Sequence, residues 1–154
     1  MLRITIALLA LAGPVAALAS GDVRTRSSIF VERIDPQGSG ARRVRLEPAR
    51  QVSSGERLIY VVEYRNMGNQ PVQGFTVTNP LPRTVRLDET VDGSELVSID
   101  GGRNWGLLSE LRVSLGQDSW RPANPDDVTH LRWRVGDRLM QGESRRMTFR
   151  AIVR

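Results

Sequence analysis

A chain of 154 residues can build one domain with its own hydrophobic core, and 40% hydrophobic with 25% charged residues is the composition of an ordinary globular fold. Cys is absent, which excludes disulfides, thiolate catalysis, zinc–thiolate sites and iron–sulfur clusters. All 22 basic residues are Arg, balanced by 17 acidic residues to a net charge of +5; the two signs are interspersed and aromatics reach only 5%, so no nucleic-acid partner is expected.

In chain order, the first element is a targeting signal. Arg3 precedes an apolar run from Ile4 to Ala12, a Gly13-Pro14 break, and Ala17-Leu18-Ala19. This predicts a cleavable secretory signal over 1–19, a mature chain beginning at Ser20, and a periplasmic or extracellular location. The run is short for a bilayer span, and no later segment is apolar enough to be one. Ser20 to Ser28 is polar and reads as a flexible lead-in, so the folded domain is expected over 29–154.

Ile29-Phe30-Val31 opens the first strand-like segment, closed by the turn residues Asp35 to Gly40. Arg42 to Leu46 alternates polar and apolar residues. Arg57 to Arg65 puts Leu58, Tyr60, Val62 and Tyr64 on one face of a strand. After the loop Asn66 to Pro71, Val72 to Thr78 forms another strand, with Phe75 and Val77 inward, Gly74 at a bulge, and Pro80 and Pro82 ending it. Val85 and Leu87 mark an edge-like piece, and Leu96 to Ile99 leads into a Gly-rich turn. Trp105 to Val113 is ambiguous between strand and helical turn, and Gly116 to Asp127 is a polar stretch. Two regular segments close the chain: Leu131, Trp133 and Val135 alternate with His130, Arg132 and Arg134, and Met147, Phe149, Ala151 and Val153 alternate with Arg146, Thr148, Arg150 and Ile152. Their proximity in sequence predicts an antiparallel hairpin. Short alternating segments with Gly and Pro punctuation, and no βαβ rhythm or internal repeat, predict a single all-β antiparallel sandwich.

Gly55-Glu56, the strand carrying Tyr60 and Tyr64, Asn66-Met67-Gly68-Asn69, and Asn79-Pro80-Leu81-Pro82 follow one another as a pattern. In these residues the chain resembles the conserved-repeat domain of bacterial surface proteins known as DUF-eleven. Leu131 to Trp133, Gly142 to Ser144 and Met147 to Val153 resemble that family's last two strands. The resemblance covers most of residues 50–154. It implies an immunoglobulin-like sandwich exported beyond the inner membrane, with a structural or interaction role in the envelope and no known active site; Asn79 stands where the family more often has Asp.

Ser98-Ile99-Asp100-Gly101-Gly102-Arg103-Asn104-Trp105 has the Ser-x-Asp-x-Gly-x-x-Trp spacing of the Asp box found in sialidase-type propellers. A propeller needs several copies and far more chain. One copy predicts a structural turn in which Asp100 accepts backbone N–H bonds, Gly101 and Gly102 supply positive φ, and Trp105 packs beside it. His130, the only histidine, has Asp127 three residues away, on the opposite face of a strand, and no Gly-x-Ser-x-Gly elbow accompanies it. Asp126-Asp127 and Asp88-Glu89 lack the Asp-x-Asp-x-Asp spacing of a calcium loop. No catalytic residue, cofactor or metal site is therefore expected. Were the last two strands paired, Arg132, Arg134, Arg146 and Arg150 would share one outer face, a candidate binder of anionic envelope polysaccharide by forked hydrogen bonds. The expected partner is a protein or other envelope component.

Overall fold

A computed structural model describes residues 22–35, 43–90, 93 and 95–154. The signal segment 1–19 and the turn residues after Asp35 lie outside the described residues. Among the described residues there are ten strands: β1 Val23–Asp35, β2 Arg43–Pro48, β3 Arg57–Asn66, β4 Phe75–Pro80, β5 Val85–Thr90, β6 Leu96–Ser98, β7 Arg112–Gly116, β8 Ser119–Pro122, β9 His130–Val135 and β10 Ser144–Val153. They form a five-stranded sheet ordered β2-β1-β3-β10-β5, a three-stranded sheet ordered β4-β9-β6, and a separate β7-β8 ribbon. Every pairing among them is antiparallel. The only helical pieces among the described residues are two short 3-10 turns, Leu108–Glu110 and Pro125–Asp127. None of the described helices is long and apolar enough to cross a membrane.

Period-two alternation explains the layers. In β3, Leu58, Tyr60, Val62 and Tyr64 are buried, and in β10 so are Phe149, Ala151 and Val153. Facing them from the smaller sheet are Phe75 and Val77 of β4 and Leu131, Trp133 and Val135 of β9. Ring contacts join the layers: Tyr64 meets Phe75 edge-on at 5.7 Å, and Trp133 meets Phe149 at 5.8 Å. These side chains belong to one continuous core, as expected for two sheets packed face to face. The expected all-β sandwich architecture is present.

Two expectations are corrected. Val23 to Ser28 are strand, not a flexible lead-in: they pair along β3 from Val23↔Asn66 to Ser28↔Val61, and Val23 is buried. The two final strands do not form a hairpin. β9 sits between β4 and β6, whereas β10 sits between β3 and β5 in the other sheet. Residues 136–143 cross between the layers, pinned midway where Leu139, fully buried, exchanges backbone hydrogen bonds with Val72 at 2.7 and 3.0 Å. Each strand has one apolar face, and placing them in opposite layers buries both faces against the same core.

The segment Trp105 to Val113 is neither one strand nor one helix. Gly106 bridges back to Val97, a 3-10 turn follows at Leu108–Glu110, and β7 starts at Arg112. The polar stretch after Gly116 holds the β7-β8 turn, where Gln117 and Asp118 both have positive φ, and a capping box in which Asn124 and Asp127 satisfy each other's backbone N–H groups.

Candidate functional site

The Asp100 turn closes a short hairpin between β6 and Gly106, whose backbone groups pair with Val97 at 2.9 and 3.1 Å. Ser98, fully buried, donates its hydroxyl to Asp100 Oδ1 at 2.8 Å and accepts the Gly102 N–H at 2.9 Å. Asp100 Oδ1 also accepts the backbone N–H groups of Arg103 and Asn104 at 3.1 and 3.0 Å, and Oδ2 accepts the Asn104 amide at 2.6 Å. Gly101 and Gly102 have φ of +81° and +88°, the left-handed region that costs glycine nothing. Trp105 Nε1 donates to the Gly102 carbonyl at 2.9 Å. The geometry is that of a structural turn whose acidic group is already saturated with donors.

Those donors, the Asn104 N–H foremost and then the Ser98 hydroxyl, hold the Asp100 carboxyl well below the usual carboxylate range. A depressed folded pKa stabilises the fold fully above the unfolded value of about 3.9, and that stabilisation is lost as pH falls below it. Asp127, lowered first by Arg121, and Glu143, lowered first by the Met140 N–H, act in the same direction. Asp100→Asn should therefore lower stability at neutral pH and shallow the loss below pH ~4 without abolishing it. Thermal unfolding followed against pH checks this; an unchanged acid limb would mean that the carboxylate does not hold the turn.

The neighbouring strand supplies the turn's other half. Thr129 Oγ1 donates to the Ser98 carbonyl at 2.9 Å and accepts the Gly101 N–H at 3.0 Å. His130 Nδ1 lies 3.1 Å from the same hydroxyl, within hydrogen-bond reach. His130 packs edge-on against Trp105 at 6.1 Å, and the Arg132 guanidinium lies over that indole at 3.6 Å, also donating to Thr78 Oγ1 at 3.2 Å. Desolvation, then the Arg132 charge, lowers the His130 pKa. His130 thus orders the turn through Thr129 and makes no hydrogen bond to Ser98 or Asp100, so these three residues form no nucleophile–base pair. Asp127 is held elsewhere, by both terminal nitrogens of Arg121 at 2.6 Å each. Among the described residues, no group of three or more His, Asp or Glu side chains could hold a metal ion.

The four arginines proposed as one anion-binding stripe are not brought together, because β9 and β10 belong to different sheets. Arg132 and Arg134 lie on the outer face of the three-stranded sheet, whereas Arg146 and Arg150 lie on the outer face of the five-stranded one, on the far side of the core. Arg146 pairs with Glu63 and Arg150 with Glu32, each at 3.1 Å. The stripe is corrected to two separate faces, one of them neutralised by neighbouring acids.

Sequence reasoning missed Thr129 and Ser98 as partners in the turn, and missed Glu95. Glu95 carries a legible signal: it has the parity of inward-facing Val97, and it is buried although acidic. Among known proteins, the chain matches no family model, no curated protein and no solved structure.

Proposed function

We propose that the chain is an exported, non-enzymatic immunoglobulin-like module with a structural or interaction role in the cell envelope, its partner a protein component of that envelope. The immunoglobulin-like reading is supported by the two antiparallel layers, by Gly55 at a turn with φ of +86°, and by the buried Asn66 that orders the loop after β3. Strand order departs from the usual pattern, in which the last two strands are neighbours. Export is supported by the sequence of residues 1–19.

The observation that carries an interaction role is the β1-β2 arm. β2 is an edge strand, and beyond the Val31↔Leu58 pair β1 has no β3 partner, so Glu32–Asp35 and Arg43–Leu46 run past the sandwich. One face of this arm carries Ile34, Val44 and Leu46, 62%, 55% and 49% exposed, while the other carries Arg33 and Glu47 in an ion pair at 3.2 Å. An open strand edge with an apolar face is a template for strand addition by a partner.

The mature chain, immobilised against envelope extract, should retain a partner that the double variant Val44→Glu/Leu46→Glu loses, with the variant's unfolding free energy within about 1 kcal/mol of the parent. N-terminal sequencing of the exported protein should begin at Ser20. Equal retention by the variant, or an uncleaved cytoplasmic product, overturns the reading.

A further inference from the structure

The edge strands of the two sheets, β5 and β6, lie on the same flank of the sandwich, and between them opens a cavity of about 290 Å³. Its walls are mainly apolar: Leu87 from β5, Val97 from β6, and Leu107 and Leu108 at the start of the first 3-10 turn. Glu95 also lines it. Residues before and along β6 alternate, so Glu95 points inward like Val97, into a position that otherwise takes an apolar side chain. It is 92% withdrawn from solvent, being 8% exposed, and its Oε2 is buried with no hydrogen-bond partner. Asp88, also on the wall, already has the Arg57 guanidinium at 3.5 Å, whereas Glu95 has no such cation.

A carboxylate oxygen withdrawn from water with no hydrogen-bond donor is left unsatisfied, and a cation that reaches the carboxylate supplies the missing partner. The surrounding walls would take the methylenes of that cation, as lysine and arginine stems are taken up on apolar surfaces. The cavity stands at the lower limit of small-ligand sites, enough for one basic side chain or a short amine but not for a sugar chain. We infer that the cleft between β5 and β6 binds an aliphatic ammonium or guanidinium group, with Glu95 as its counter-ion and Leu87, Val97, Leu107 and Leu108 around its shaft. The same chemistry is carried by a basic side chain of a protein and by a free diamine-type cation. This inference is independent of the β1-β2 arm and of export.

The test titrates the full chain with agmatine and, separately, with Nα-acetylarginine N-methylamide, reading amide shifts at Glu95 and Val97 by NMR. Either probe is expected to saturate with a dissociation constant on the order of millimolar or tighter. Glu95→Gln should weaken binding by about tenfold or more, while the Asp100 turn resonances stay in place. Pentan-1-ol, which has the shaft but no charge, should bind at least about tenfold more weakly than the cations. Ser109→Trp, at the exposed lip of the cavity, should block both probes and serves as the second variant if Glu95→Gln does not fold. Comparable affinity for the two probes identifies a protein side chain as the ligand, and clear preference for agmatine identifies a free cation. Absence of saturation by either probe, affinity unchanged in a folded Glu95→Gln variant, or affinity unchanged in Ser109→Trp overturns the inference.

Discussion

Phe149→Ala should cost about 3–5 kcal/mol, the range for removing a fully buried aromatic ring from a core that cannot collapse onto the gap. Its ring stacks on Tyr60 of the adjacent strand at 4.6 Å and touches Trp133 of the opposite sheet at 5.8 Å, so it is held within its own layer and across to the other. The two sheets are kept apart by many other side chains, and the backbone cannot close over the void. Arg146→Ala, three residues earlier in β10, is the control. The Arg146 side chain is 70% exposed and its ion pair with Glu63 is screened by water, so its loss should shift stability by about 0.5 kcal/mol. Urea denaturation of the two variants measures the contrast. A Phe149→Ala cost below about 1 kcal/mol would mean that the ring is not clamped between layers, and the sandwich packing would be wrong.

What could be seen in the sequence follows the range of the interaction concerned. β3 is legible because Leu58, Tyr60, Val62 and Tyr64 repeat every second residue, and the repeat is the direct imprint of one buried face. The Asp100 turn is legible because Asp100, Gly101, Gly102 and Trp105 lie within a few residues of one another, whereas its Thr129 partner comes from 28 residues away. The first half of β1 is not, because after Val23 its next inward positions are Thr25 and Ser27. Ser27 spans to the other sheet through a hydrogen bond to buried Asn79 at 3.0 Å, so a polar contact does there what an apolar contact does elsewhere. Strand pairing is the weakest signal of all. Alternation in β9 and β10 says that each has an apolar face and nothing about which sheet it joins. The crossover between their layers is pinned at Leu139, a single buried residue in a connecting loop that has no periodicity to betray it. Grouping the four arginines on one face follows directly from that misplaced hairpin.

Leu139 leads to the residue that governs the crossover. Asn66 ends β3 fully buried; its Nδ2 donates to the carbonyls of Gln70 at 2.7 Å and Leu139 at 3.1 Å, and its Oδ1 accepts the Gly68 N–H at 2.9 Å. Its backbone N–H donates to the Glu143 carbonyl, and its own carbonyl accepts from Gly142, so one side chain and its peptide groups fasten two loops together. Asn66→Ala removes the side-chain partner of three backbone groups and should cost roughly 3 kcal/mol. Asn66→Asp sharpens the test. The introduced carboxylate could still accept from Gly68, but it would face two carbonyl oxygens with no proton to offer either. In a buried site where one N–H faces it against two carbonyl oxygens, its folded pKa must rise above the unfolded value of about 3.9. A raised carboxyl pKa means that the folded state holds the proton more tightly, so the penalty is largest at neutral pH and shrinks as pH falls towards the unfolded value. At pH 7 Asn66→Asp should therefore be less stable than Asn66→Ala, and the order should narrow or reverse near pH 5, within the range where the parent is still folded. Thermal unfolding of both variants at the two pH values decides it. If Asn66→Asp is the more stable at pH 7, the amide does not bridge Gln70 and Leu139, and the crossover that separates β9 from β10 must be held by something else.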